Sequence, residues 1–228
     1  MKAEEVNAWF LHSQASGDTS LRTYFFTNEY GIIQALYKGG RTPKKQQYLQ
    51  PFSPLWLFLN SRNDWYYVRH IENHSRVMAL QGEALFAGLY VNEIVFAMLK
   101  PLDASPRLFT VYEETLDALS RTHDRLSIEP VLRRFERTLL EVTGYGIPLI
   151  HEAYSNRQIE ATQFYRLIVG VGFVLSNEGF PGSHILAFAA YQFDDVAVLL
   201  TAKRIMRAAI NHALDGRQIH ARKLWGVK

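Results

Sequence analysis

The sequence predicts an α+β protein: a small closed β-barrel at the N-terminus, followed by a helical domain with a small irregular or hairpin insertion. Three observations predict it. From Ala8 to about Ile71, short runs rich in Trp, Phe, Tyr, Val and Ile alternate with clusters of Gly, Asn, Pro and Ser, as strands and turns do. After about Ala79 the apolar residues recur at helical spacing over longer segments. Hydrophobic residues make up 48% of the 228 and charged residues 21%, a globular balance that excludes disordered, collagen-like and coiled-coil chains.

Strands are expected near Ala8–Gln14, Ser20–Thr27, Ile32–Lys38, Pro54–Leu59 and Trp65–Ile71. Asn28-Glu29-Tyr30-Gly31 joins the second and third as a hairpin loop, with Gly31 suited to the positive φ such loops require. Five short strands are too few for a two-sheet sandwich and suggest a small closed barrel of the OB or SH3-like kind.

The first helix, Ala79 to Leu99, is apolar almost all round and therefore central and buried, with Gly82 and Gly88 marking close backbone approach. Pro101 ends it. A second helix, about Pro106 to Ser120, carries Leu108, Val111, Tyr112, Thr115, Leu116 and Leu119 on one stripe. A third starts near Ser127 with Pro130 in its first turn, turns Leu132, Phe135, Leu139 and Val142 inward, and stops at Gly144. A less regular stretch through Asn177 holds a hairpin of Phe164–Val169 with Gly172–Leu175. The last long helix, Val196 to Leu214, is capped by Asp194 or Asp195, with Gly216 beyond its end. The domains are expected at 1–78 and 79–228, with no internal repeat.

The sequence contains no cysteine, which removes disulfides, thiolate nucleophiles and Cys-ligated zinc. The N-terminus lacks the apolar core of a signal peptide, and the longest unbroken run of apolar residues and Gly, Leu167 to Leu175, is far short of the ~20 residues of a membrane span. A cytoplasmic protein is expected. Catalytic templates fail on spacing. In His70-Ile-Glu-Asn-His74 the Glu stands one place too late for a metalloprotease helix, so these read as barrel-edge or linker histidines. Gly170-Val-Gly172 lacks the third Gly and the following helix of a dinucleotide site and reads as a hairpin turn. Glu113–Glu114 read as a solvated helix face, and Asp194–Asp195 as a helix N-terminus. No catalytic residue is assigned.

The formal net charge of +3 hides a segregation. From Tyr30 to Asn63 there are five bases, Lys38, Arg41, Lys44, Lys45 and Arg62, and no acid. From Lys203 onward there are seven, Lys203, Arg204, Arg207, Arg217, Arg222, Lys223 and Lys228, against Asp215 alone. The rest of the chain therefore carries −8. A basic run is ordinarily a solvated face. The first window, however, lies among Tyr37, Tyr48, Trp56 and Tyr66, and bases stacking on aromatics in a basic groove is how small barrels hold single strands without reading sequence. Trp56, within the apolar run Leu55–Leu59, also reads as core.

The stretches Leu11-His-Ser-Gln-Ala-Ser-Gly-Asp-Thr-Ser-Leu21, Phe26-Thr-Asn-Glu-Tyr-Gly31, Lys38-Gly-Gly-Arg41 and Leu49-Gln-Pro-Phe-Ser-Pro-Leu55 resemble the N-terminal barrel of the RecO recombination mediators. Gly82-Glu-Ala-Leu through Gly88-Leu-Tyr-Val-Asn-Glu93, Glu129-Pro-Val-Leu-Arg-Arg-Phe-Glu136, Leu139-Leu140 with Gly144-Tyr-Gly146, and Leu214-Asp-Gly-Arg-Gln-Ile-His-Ala-Arg-Lys-Leu-Trp225 are similar to that family's helical domain. The match runs in order over nearly the whole chain.

The resemblance implies an OB-fold DNA-binding domain (1–78) and a helical partner- and DNA-binding domain (79–228) in a bacterial, nucleoid-associated DNA-repair protein of the RecF pathway. It implies binding of single- and double-stranded DNA and annealing of complementary strands. It further implies engagement of the acidic C-terminal tail of the single-strand-binding protein, and work with RecR to load RecA. No enzymatic activity is implied. Many members carry a four-Cys zinc site after the Gly-Tyr-Gly segment; the corresponding His151-Glu-Ala-Tyr-Ser-Asn156 has no cysteine, so neither zinc nor another cofactor is expected. The tail also departs from the family pattern, with Asp215 where a second Gly is usual and Lys223 where an acid is common.

On this basis Lys38, Arg41, Lys44 and Lys45 are expected to track phosphates, with Arg204, Arg207, Arg222 and Lys223 extending the basic surface. Arg133 and Arg137, four apart on the third helix, are candidates for the acidic peptide. The alternative for that pair is salt bridging to Glu129, Glu136 or Glu141. The alternative function is an OB-fold and helical adaptor that contacts only proteins.

Overall fold

The computed structural model describes residues 2–62, 65–74, 78–122 and 124–224. Along the chain run β1 (Lys2–Ser16), β2 (Ser20–Thr27), β3 (Gly31–Tyr37), α1 (Pro43–Gln46), β4 (Pro54–Arg62), β5 (Trp65–Asn73), α2 (Gly82–Met98), α3 (Pro106–Ser120), α4 (Arg125–Val142), β6 (Phe164–Ile168), β7 (Gly172–Ser176), β8 (Phe180–Pro181), α5 (Gly182–Ala189), α6 (Val196–Ala213) and α7 (Ala221–Leu224). The described residues fall into two compact units. One holds the chain up to Arg121 together with the segment from Ile219; the other is Thr122–Gln218.

In the first unit five strands close in the order β1-β2-β3-β5-β4, an OB-like barrel. All neighbours are antiparallel except β3 and β5, which run parallel at Ala35↔Tyr66 and Leu36↔Tyr67. Strand β1 is long because it serves two neighbours: Lys2–Trp9 pair with β4 and Ala8–Ser16 with β2. A bulge between Phe10 and His12 bends it between the two. Alternate residues such as Val6, Phe10, Phe25, Ile33, Leu57 and Ile71 fill the interior. The β2–β3 turn is closed by Thr27, whose hydroxyl donates to the Gly31 carbonyl (2.9 Å) and accepts from Tyr30 N–H (3.1 Å).

The outer barrel face is divided. Trp9 and Phe26 are a cross-strand pair on it, yet both are buried because α3 covers them. The Tyr112 ring lies 5.5 Å from Trp9 and 5.6 Å from Phe26, and Phe109 lies 5.4 Å from Phe26. Tyr112 donates to Asn92 Oδ1 (2.5 Å), linking α3 to α2, and its complete burial pushes the phenol far above its ordinary pKa. Within α2 only Gly82 and Phe96 are exposed, as an all-round apolar helix requires. Gly88 is a close approach: a Cβ there would sit 2.4 Å from Leu80 Cδ1 and 2.9 Å from the Phe52 ring. Gly82 instead serves by conformation, with φ +55° and open space around it.

The C-terminal segment closes this same unit. Glu93 on α2 accepts the backbone N–H groups of His220 and Ala221, both at 2.7 Å, at the start of α7, and Arg222 lies over the Tyr90 ring at 5.6 Å. Glu93→Ala removes both acceptors. The expected result is a loss of about 1–2 kcal/mol confined to this segment, read as faster tryptic cleavage after Arg217 and Arg222 with the main unfolding transition nearly unmoved.

The second unit packs α4 and α5 against α6, with the sheet β7-β6-β8. Helix α4 begins two residues earlier than the spacing suggests, because Asp124 caps it: its carboxylate accepts Ser127 N–H (3.0 Å) and the Ser127 hydroxyl (2.6 Å), which hold that carboxyl below its usual pKa. Pro130 accordingly lies inside the helix rather than in its first turn. Asp195 is the cap of α6, accepting Ala197 N–H at 2.7 Å. Gly170 and Gly172 form the β6–β7 hairpin turn at φ +81° and +138°. The short helices α1, α5 and α7 have no counterpart in the sequence pattern.

Candidate nucleic-acid interface

Where α2 and α3 do not cover it, the outer face of β1, β2, β3 and β5 is open. Strand register lays its side chains out in two rows. One crosses the sheet as Gln14↔Arg22, Arg22↔Leu36 and Leu36↔Tyr67; the other as His12↔Tyr24 and Tyr24↔Gln34. Gln34 and Trp65 share a cleft of about 280 Å³ with Ser16, Arg22, Leu36 and Tyr67. Trp65 is 50% exposed there. The β1–β2 turn beside it is pinned by Arg41, whose Nη1 donates to the carbonyls of Asp18 (2.9 Å) and Gly17 (3.4 Å). The β4–β5 turn lies outside the described residues. Two flat rings, an aliphatic floor and a guanidinium in a concave strip can take unpaired bases by stacking and a phosphate by charge.

The sequence pattern did not single out Trp65, Tyr67 or Arg22. Of the aromatics it did, Tyr37 is buried in the barrel, Tyr48 and Tyr66 pack against its core, and Trp56 is half-buried with its ring 4.8 Å from His74. Lys38, Arg41 and Lys44 are exposed. Lys45 is held: its ammonium donates to the Lys38 carbonyl (2.8 Å) and lies 5.1 Å from the Tyr37 ring. Among the described residues Lys44 makes no hydrogen bond or ion pair.

The second basic window is shared between the units. Lys203, Arg204, Arg207 and Arg217 belong to the second, Arg222 and Lys223 to the first, and Lys228 lies outside the described residues. Arg204 and Arg207 are exposed on α6, Arg204 lying 5.0 Å from the Phe180 ring. Lys203 is bonded to Glu129.

The expectation for Arg133 is corrected. Its side chain is 4% exposed and bridges Glu129 (3.1 Å) and Glu136 (2.7 Å) along α4, so it has no face to offer a peptide. Arg137 is partly exposed, bonded to Glu141 (3.1 Å) and to the Ala189 carbonyl (2.9 Å), and lies 4.6 Å from the Tyr191 ring, which Arg134 also approaches at 5.8 Å.

His70 pairs with Glu72 at 3.1 Å on the barrel exterior. Among the described residues no group of three or more His, Asp or Glu is placed to hold a metal ion. The stretch His151–Asn156 does not fit the four-thiolate zinc site either: it has no cysteine and is closed by hydrogen bonds from Glu152 N–H to the Arg157 carbonyl and from Ala153 N–H to the Phe173 carbonyl, both 2.8 Å. Among the described residues no helix is long and apolar enough to cross a membrane.

Barrel topology and the open aromatic face together define an OB-barrel protein with a helical extension. Residues 1–75 match the family model "Recombination protein O N terminal", and residues 79–216 match "Recombination protein O C terminal". The chain is 46% identical to the DNA repair protein RecO of Legionella pneumophila (strain Philadelphia 1), covering 99% of both chains. It is 36% identical to that of Klebsiella pneumoniae (strain 342) over 96% of this chain and 91% of the relative. With the RecO of Pseudoalteromonas atlantica it shares 32% identity over 99% of this chain and 95% of the relative. The chain belongs to the RecO family of DNA repair proteins.

Proposed function

We propose that this protein is a recombination mediator. It binds single- and double-stranded DNA, anneals complementary strands coated with single-strand-binding protein and, with RecR, promotes RecA loading. The observation that carries the reading is the open cleft of Trp65, Tyr67, Leu36 and Arg22 on an OB-like barrel in a RecO-family chain. Single strands stack on the two rings. Lys38, Arg41 and Lys44 hold phosphates beside the barrel, while Arg204, Arg207, Arg222 and Lys223 add phosphate contacts on their own units. Annealing needs no covalent step, only two strands held with their repulsion screened, and the protein acts without a catalytic centre or cofactor. Arg137, with Arg134 and Tyr191, receives the acidic tail of the single-strand-binding protein.

The test is annealing of complementary strands coated with single-strand-binding protein, with and without its tail. Acceleration that depends on the tail is expected; no acceleration on either would overturn the reading. Phosphate contacts release counterions, so Lys44→Ala should weaken binding uniformly across sequences and reduce the slope of log K against log salt by about one.

A further inference from the structure

Phe96 is an exception within α2. It is 36% exposed in a helix that otherwise turns inward, and it lies against the barrel exterior, 5.0 Å from the Tyr24 ring and 5.8 Å from His12. His12 and Tyr24 are themselves stacked at 6.0 Å with an interplanar angle of 23°. These three rings stand at the end of the row that runs across the sheet through Gln34 to the cleft holding Trp65. Among the described residues neither row contains a carboxylate.

We propose that Phe96, Tyr24 and His12 form a second base-stacking station, so that a single strand crosses the barrel over Gln34 and ends against α2. The proposal rests on the barrel reading above and extends the site onto an element outside the barrel. Adjacent strands are ~4.8 Å apart, which places Tyr24 roughly 10 Å from the β5 position of Trp65. One base cannot touch both, whereas different nucleotides of one strand can. The edge-on packing of Phe96 on Tyr24 keeps the cluster in place and leaves ring surface exposed for a terminal base.

The experiment measures binding of the full chain to fluorescent oligothymidylates of about four and about twelve nucleotides, the range of single OB sites, at fixed salt. Phe96→Leu keeps apolar contact with Tyr24 and His12 but removes the flat face, and Phe96→Trp restores one; thermal melts confirm that both fold. The expected result is about five-fold or more weaker binding of the long strand by Phe96→Leu, recovery with Phe96→Trp, and little change for the short strand. Trp65→Ala should weaken both lengths. If Phe96→Leu binds the long strand like the wild type while Trp65→Ala weakens it, the second station is wrong and the barrel reading stands. Equal weakening of both lengths by Phe96→Leu also overturns a separate station. If neither Phe96→Leu nor Trp65→Ala changes binding, the barrel reading itself is wrong.

Discussion

Arg133→Ala should lower the unfolding free energy by about 3–5 kcal/mol, measured by urea denaturation of the full chain. The magnitude follows from burial. Arg133 is 4% exposed and Glu136 2%, and Glu129, 12% exposed, lies on the other side of the same guanidinium. Nη1 reaches Glu129 at 3.1 Å, while Nη2 and Nε each lie 2.7 Å from a Glu136 oxygen. Taking the cation away removes the guanidinium that lies between two carboxylates in low dielectric, and that electrostatic loss dominates over any packing lost. Glu129 is less affected because Lys203 and Arg125 also face it. The double substitution Arg133→Met with Glu136→Leu removes both charges at once and should recover most of the loss, since a buried pair is often no more stable than apolar residues of similar size. A single-variant loss below about 1 kcal/mol would show that the cluster is solvated.

Gly31→Ala should cost about 2–5 kcal/mol, for two separable reasons. Its φ of +67° is left-handed, worth ~1–2 kcal/mol against any L side chain. In addition, a Cβ would sit 2.1 Å from the carbonyl oxygen of Asp103 and 2.7 Å from its carbon. That backbone cannot simply step aside: Leu102 N–H donates to the Ile32 carbonyl at 3.0 Å, and Pro101 bridges to Ile32. Overpacking of this kind adds ~1–3 kcal/mol. Gly17→Ala is the matched control, with the same φ of +67° and nothing within 4 Å. The difference between the two variants, read from chemical denaturation, isolates the contact with Asp103; equal losses would show that it bears no load.

The barrel was legible because short aromatic and β-branched runs are separated by clusters of turn residues, and Gly31 was legible because a hairpin loop needs a positive φ. Face parity in β5 was not. Trp65-Tyr66-Tyr67 is three aromatics in a row, and which of them turn outward depends on pairing register and on the irregularity between Phe58 and Leu59. Tyr66 therefore looked like a base-stacking residue and packs against the core, while Trp65 and Tyr67 form the cleft. Arg22 was invisible to a charge count because it lies outside both basic windows and gains its place through its cross-strand neighbours. The ion pairs of Arg133 were written in the spacing of Glu129 and Glu136, four and three residues away, yet spacing does not say whether that helix face is wet. Burial of a charged triad is a tertiary fact. So is the passage of residues beyond Ile219 into the first unit, which depends on Glu93, a residue more than a hundred positions earlier.

That last contact sets an order of events during synthesis. The barrel, α2 and α3 are complete in sequence by Arg121, but their unit is not, since the donors that Glu93 accepts are made only when His220 and Ala221 are translated. Until then the carboxylate is served by water, and the α2 surface that later holds Arg222 over Tyr90 stays open. A chain stopped after Gln218 would keep every strand of the barrel and still present a first unit with an unfinished side.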